Sequence, residues 1–148
     1  MHTVTFARSA ELLWEGDVVG GSGKVAAGSG AFTVSAGFPT LRGEPPGTTT
    51  PEELLAASHA VCYGIGLRSV LARNGGSASR VIVTATLTSE KGQGAIRIRR
   101  SHLSAVVEGL DGIAASTLPE VGAAAKRECT ISIAIGGSVD VTYDVTSV

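Results

Sequence analysis

The sequence predicts an α+β domain with mostly antiparallel strands packed on a long buried helix. Three observations lead there. One stretch of 23 to 25 residues beginning at Pro51 is apolar nearly all round and carries helix signals at both ends. Short segments with alternating polarity, separated by glycine clusters, occupy the amino-terminal third. Two longer alternating segments follow the helix, then a second helix and a final strand, so strands and helices are grouped rather than strictly alternating. The expected organisation is a single domain over 1–148: a strand meander and loop over 1–50, the central helix over 51–75, and strands, a second helix and a last strand over 80–148.

Within residues 1–36, Thr3–Phe6, Glu11–Glu15, Lys24–Ala26 and Ala31–Val34 are four strand candidates. Gly16-Asp17, Gly20-Gly21-Ser22-Gly23 and Gly28-Ser29-Gly30 punctuate them. The Pro/Gly-rich loop 37–50, containing Arg42 and Glu44, delivers the chain to the helix. Thr50-Pro51-Glu52-Glu53 is a capping-box sequence with proline at the first helical position. Asn74-Gly75-Gly76 ends the helix with residues that tolerate positive φ. Between them lie Leu54, Leu55, Ala57, Ala60, Val61, Ile65, Leu67, Val70 and Leu71 on nearly every side, the mark of a buried helix roughly 36 Å long.

Arg80–Thr88 and Ile96–Val107 alternate as strands. The arginines Arg97, Arg99 and Arg100 read better as a solvated strand face than as a binding patch. Ser116–Glu128 is a second helix, with Thr117-Leu118-Pro119-Glu120 as a second capping box and Lys126 and Arg127 near its end. Ile131–Ile135 and Val139–Val145 read as strand.

Composition removes several classes of function. The net charge of −1 gives no electrostatic case for nucleic acid or an anionic membrane. The amino terminus carries charges early and lacks a signal-length apolar run, and no stretch reads as a membrane span. A cytoplasmic protein is expected. Two cysteines, Cys62 and Cys129, are too few for a disulfide scaffold. His59 precedes Cys62 by one turn on the same helix face and could hold its thiolate or move a proton. The plain alternatives stay open: Cys62 as a small buried hydrophobe, and His59 as a core histidine satisfied by a backbone partner. Zinc would need a fuller ligand set than one His-Cys pair, with His2 and His102 elsewhere. No phosphate loop or nucleophile elbow is present.

Several segments together resemble the family of osmotically inducible protein C and the organic hydroperoxide resistance proteins. They are Trp14-Glu15-Gly16-Asp17, the run from Thr50 to Cys62, Gly112–Thr117, and Lys126-Arg127-Glu128-Cys129-Thr130-Ile131-Ser132. They cover nearly the whole chain in order, and His59 together with the Trp14–Asp17 stretch looks like the osmotically inducible branch. The resemblance implies an intertwined homodimer, with antiparallel sheets wrapped around long central helices. It implies thiol-dependent reduction of organic hydroperoxides and, more weakly, of hydrogen peroxide. Cys62 would be the peroxidatic thiolate and Cys129 the resolving thiol. Arg42 would activate Cys62, and Glu52 would hold that arginine. His59 and Tyr63 would line the substrate pocket. No metal or cofactor is implied, only an external dithiol or lipoylated-protein reductant.

The chain departs from the family's pattern at two points. Glu128 and Thr130 flank Cys129, and an acid there would raise the Cys129 pKa. Tyr63 brings a hydroxyl to the position after Cys62. A non-enzymatic dimer of this kind, binding a small apolar ligand between its subunits, is the competing expectation. A structural dimer with two inert thiols is a third.

Overall fold

The computed structural model describes residues 2–38, 41 and 47–148. Arg42 and Glu44 therefore lie outside the described residues. The chain divides into two compact units, Met1–Pro51 and Glu52–Val148.

The first unit is a three-stranded antiparallel sheet, β1 (Ala10–Glu15), β2 (Ser22–Ala27) and β3 (Thr33–Ala36), in that spatial order. The turn between β1 and β2 is built by the Trp14–Asp17 stretch. Gly16 takes a positive φ of 90°. The carbonyl of Asp17 accepts from the Trp14 indole at 3.0 Å and from the Gly21 amide at 3.0 Å, and its carboxylate accepts from the Gly20 amide at 2.6 Å. A Cβ on Gly21 would lie 2.3 Å from the Asp17 carbonyl oxygen, so this turn has no room for a larger residue. The fourth expected strand, Thr3–Phe6, does not form: those residues are exposed and pair with nothing regular. Leu12 and Leu13 of β1 are more than half exposed, so each face of this sheet presents apolar surface.

The second unit holds the core. Helix α1 (Pro51–Arg73) begins and ends where the sequence signals place it. At its end Gly75 has φ +80° and the Gly76 amide donates to the Leu71 carbonyl at 2.8 Å, which satisfies a carbonyl that the helix leaves open. Strands β4 (Arg80–Lys91) and β5 (Ile96–Glu108) pair antiparallel, with an irregularity at Thr88/Ser89. The nearby Arg97, Arg99 and Arg100 are exposed, and Arg99 pairs with Glu90 at 3.0 Å.

Strand β6 (Asp140–Ser147) runs parallel to β5. The expectation of mostly antiparallel pairing holds for β1–β2, β2–β3 and β4–β5, and β6 is the parallel exception among the described strands. The chain leaves β5, crosses over through helices, and re-enters at the same end of the sheet, which only a parallel neighbour allows. The crossover comprises a 3-10 turn (Ala115–Thr117), α2 (Leu118–Glu128) and α3 (Thr130–Ile135).

Two local expectations fail in the crossover. Thr117 does not cap α2. It sits in helical backbone, and its hydroxyl donates back to the Ala114 carbonyl at 2.6 Å. Ile131–Ile135 is helix rather than strand. Cys129 is extended (φ −71°, ψ 114°) and its sulfur accepts from the Ser132 amide at 3.5 Å, so the cysteine acts as the N-cap of α3. The alternation Ile-Ser-Ile-Ala-Ile mimics a strand, but Ile131 and Ile135, four apart, share the half-buried helix face.

The inner face of the sheet carries Ser101, Leu103, Ala105 and Val107, all fully buried. Against it pack Tyr63, Leu67, Val70 and Leu71 of α1 and Leu118, Val121 and Ala125 of α2. Gly122 lets α2 approach β6 closely, because a Cβ there would meet Val145 at 2.8 Å. α1 is long and apolar enough to cross a membrane by length and composition, which revises the reading that no stretch is. Its buried residues, His59 and Tyr63 among them, are spent on the sheet and on the crossover helices.

Candidate functional site

Cys62 sits at the middle of α1, and Cys129 sits at the junction of α2 and α3. The fold brings them near enough that the protonation of one sulfur depends on the other. Both are free thiols, Cys62 half-buried and Cys129 buried.

The two surroundings differ. Burial pushes the Cys62 thiol up. That push is outweighed by the Ile131 amide, the Cys129 thiol, and the Thr130 amide and hydroxyl, all of which hydrogen-bond its thiolate, so its pKa falls below the ordinary value. Thr130 and Ile131 open α3, so the donors that hold the anion are the otherwise unsatisfied first amides of a helix. Burial also pushes the Cys129 thiol up. There the Ser132 hydroxyl and amide lower it too little, the neighbouring Cys62 adds to the rise, and the net shift is upward. Cys62 is therefore the easier of the two to ionise.

His59, one turn before Cys62, is fully buried. Its Nδ1 lies 2.6 Å from Ser101 Oγ on β5, and its Nε2 lies 2.7 Å from Ser132 Oγ on α3. The imidazole thus ties α1 to the sheet and to the helix that carries the amides facing Cys62. Its partners are two side-chain hydroxyls rather than a backbone group. Burial lowers its pKa, so it is neutral near pH 7. Tyr63 is also fully buried, and its hydroxyl donates to the Gly122 carbonyl at 3.0 Å. Desolvation above all raises the Tyr63 pKa and keeps that phenol protonated. Both residues expected to line a pocket are thus engaged in joining α1 to the crossover helices.

Glu52 is half-buried in the first turn of α1, ten residues before Cys62 and so about 15 Å from it along the axis. Glu128 does not set the Cys129 ionisation, contrary to the expectation from its adjacency. Its carboxylate is held bidentate by Arg73, both contacts at 2.7 Å, on the solvent side. The rise at Cys129 comes from burial and from Cys62. His102 stands apart on the outer face of the sheet, between Thr142 at 2.6 Å and Asp144 at 2.9 Å.

The residues that the sequence reading missed are Thr130, Ile131, Ser132 and Ser101. A signal for the first three was present: Cys129-Thr130-Ile131-Ser132 has the spacing of an N-cap and the residue it caps. The strand-like alternation of the same segment hid it.

Two free cysteines from separate helices, their ionisation pushed in opposite directions, are an arrangement suited to thiol redox chemistry on an α+β scaffold. The profile of the OsmC-like protein family matches residues 43–144, and the chain belongs to that family. It is 30% identical over 145 residues to Peroxiredoxin OsmC of Escherichia coli (strain K12), covering 97% of this chain and 100% of that protein. Among solved structures it is similar to an organic hydroperoxide resistance protein OsmC from Legionella pneumophila, with TM-score 0.76 and 24% identity over 97% of this chain and 99% of that one. It is also similar to an organic hydroperoxide resistance protein from Elizabethkingia anophelis, with TM-score 0.78 and 20% identity over 99% and 100% of the two chains. These two likenesses establish the shared fold.

Proposed function

We propose that this protein is a homodimeric two-cysteine peroxidase that reduces organic hydroperoxides and, more slowly, hydrogen peroxide. The observation that carries the proposal is the pair of free thiols, Cys62 on α1 and Cys129 at the α2–α3 junction, whose surroundings push their ionisation in opposite directions. The names of the relatives support the same chemistry: the Escherichia coli protein is called a peroxiredoxin, and the Legionella pneumophila protein an organic hydroperoxide resistance protein.

The Cys62 thiolate attacks the terminal peroxide oxygen. The O–O bond breaks, the alkoxide takes a proton and leaves as alcohol, and Cys62 becomes a sulfenic acid. Cys129 then attacks the Cys62 sulfur, water departs, and a disulfide forms. A dithiol, small or borne on a lipoylated protein, restores both thiols by exchange. No metal or cofactor takes part.

Arg42 is proposed to stand by the thiolate at the peroxide, with Glu52 holding it. The span of about 15 Å along α1 favours a site to which a second subunit brings Glu52, or one closed by a loop folded back. The dimer is supported by Val61 and Ile65, which leave the outer side of α1 62% and 67% exposed beside Cys62. A patch of that kind on a central helix is a surface for a partner.

The test is turnover with a dithiol reductant, cumene hydroperoxide against hydrogen peroxide, for the wild type and Cys62→Ser. Turnover that is faster with the organic peroxide and lost in the variant is expected. No turnover, with Cys62 titrating near the ~8.5 of an ordinary thiol, would overturn the reading in favour of a ligand-binding dimer.

A further inference from the structure

The Ser101–His59–Ser132 arrangement is buried and continuous, and it ends on a sulfur. His59 Nδ1 is 2.6 Å from Ser101 Oγ, and His59 Nε2 is 2.7 Å from Ser132 Oγ. Ser132 in turn adjoins Cys129, whose sulfur accepts from the Ser132 amide at 3.5 Å, and the Ser132 hydroxyl is among the groups that lower the Cys129 pKa. Ser101 and His59 are 0% exposed and Ser132 is 5% exposed. Three elements far apart in sequence each give a polar side chain to one apolar core. Buried hydroxyls and an imidazole are costly there unless each bond is made. An imidazole alone would satisfy itself more cheaply on a backbone carbonyl.

The direction of the chain follows from the protonation states. A neutral imidazole has one donor nitrogen and one acceptor. If Nε2 carries the proton, Ser101 donates to Nδ1, Nε2–H donates to Ser132 Oγ, and the Ser132 hydroxyl is left to donate to the Cys129 sulfur. That order offers a hydrogen-bond donor to a thiolate without placing a buried cation beside it. The opposite order would turn the Ser132 hydroxyl toward His59 and withhold it from the sulfur.

We propose that Ser132 is a catalytic residue of the resolving step, donating to the Cys129 sulfur as it becomes anionic, and that His59, in its Nε2–H form and anchored by Ser101, is the positioning residue that aims it. The inference rests on the two-cysteine reading above and extends it to groups that reading leaves unused. As the Cys129 sulfur attacks the sulfenic acid of Cys62, the S–H bond of Cys129 and the S–O bond of Cys62 break. An S–S bond forms, and the Cys129 proton leaves with the departing hydroxide as water. Cys62 sulfur is reduced and Cys129 sulfur is oxidised, with no further reactant. Ser132 and His59 keep their protons throughout. Their part is to hold charge on Cys129 at a sulfur that burial and Cys62 otherwise keep protonated.

The test compares Ser132→Ala with Ser132→Thr by stopped flow, following sulfenic acid formation and disulfide formation separately. In Ser132→Ala the ratio of the resolving rate to the sulfenic acid rate should fall about tenfold, the size of one hydrogen bond to a charged group. Ser132→Thr, which keeps the hydroxyl, should recover most of it. His59→Gln should lower the same ratio, and the imidazole 15N shifts of the wild type should report the Nε2–H tautomer. A ratio unchanged in Ser132→Ala overturns the proposal, whether both rates fall together or neither does. So does an Nδ1–H tautomer. The closing measurement is the ionisation of Cys129 in a Cys62→Ala background, with and without Ser132→Ala. The midpoint should move to higher pH when the hydroxyl is lost. This readout needs no peroxide, so it still decides the inference if peroxidase turnover is absent and the functional reading has failed on its own.

Discussion

Cys62 and Cys129 carry the same functional group and influence each other's ionisation, yet their surroundings push them in opposite directions. Burial raises both. Cys62 lies across from the open end of α3, where two amides and a hydroxyl converge on its sulfur. Cys129 belongs to that end: it caps the helix through its own sulfur, while the amides of Thr130 and Ile131 favour the thiolate of its neighbour. The comparison teaches that a helix start can divide labour between two thiols. The capping cysteine becomes harder to ionise and the facing one easier.

The largest effect should separate the two by deletion. Cys62→Ser should lower dithiol-supported turnover by at least a thousandfold. Cys129→Ser should leave about one equivalent of peroxide consumed per Cys62 and then stall at the sulfenic acid. Equal, complete losses in both, with no stoichiometric burst in Cys129→Ser, would erase the distinction between the roles.

The second test is titration. Alkylation of Cys129→Ser, in which only Cys62 remains, should reach half its maximal rate at a pH below the ordinary thiol value. Alkylation of Cys62→Ser should do so above it. The sign follows from the donors: groups that bond the thiolate favour ionisation, and burial opposes it. Thr130→Val removes one side-chain donor and keeps the amide, so the Cys62 midpoint should move upward and its rate near pH 7 should fall by a few fold. A midpoint that stays put would put the effect on the amides alone.

The clamp between the two regions has its own pH signature. Burial holds the His59 pKa below 6.5, while the unfolded chain has no such restraint. As pH falls below about 6.5 the unfolded state binds a proton that the folded state refuses. Stability should therefore drop on acidification by up to about 1.4 kcal/mol per pH unit, until the folded pKa is reached. Denaturation at pH 7.0 and 5.5 measures it, and His59→Gln should flatten the slope.

How much of this was legible in the sequence follows the kind of signal each element carries. α1 was, because its start and stop are local: Thr50-Pro51-Glu52-Glu53 and Asn74-Gly75-Gly76 act within a few residues. β4 and β5 were, because alternation over a dozen residues has only one reading. The two thiols were singled out with them. The parallel partner β6 was not, since pairing direction is set by the path of the whole crossover. α3 was not, since its five-residue alternation fits strand and helix equally, and only the extended Cys129 backbone decides between them. The hydroxyls of Ser101 and Ser132 were invisible for a third reason. Their meaning is a buried imidazole on another element, a relation with no trace in local spacing.

Glu128 gives the smallest effect and sharpens the comparison from outside. Adjacency in sequence places a carboxylate next to the resolving thiol, which would make repulsion the reason that Cys129 resists ionising. In the fold the carboxylate turns away and is held by both contacts to Arg73, with the two side chains about half exposed. Charge at that exposure is screened by water and salt. Glu128→Gln should therefore leave the Cys129 midpoint where it is and change stability by well under ~1 kcal/mol, an exposed ion pair being worth little. Thiol titration and urea denaturation of the same variant measure both. A clear downward move of the Cys129 midpoint would return the cause to the neighbouring charge and take it from burial and Cys62.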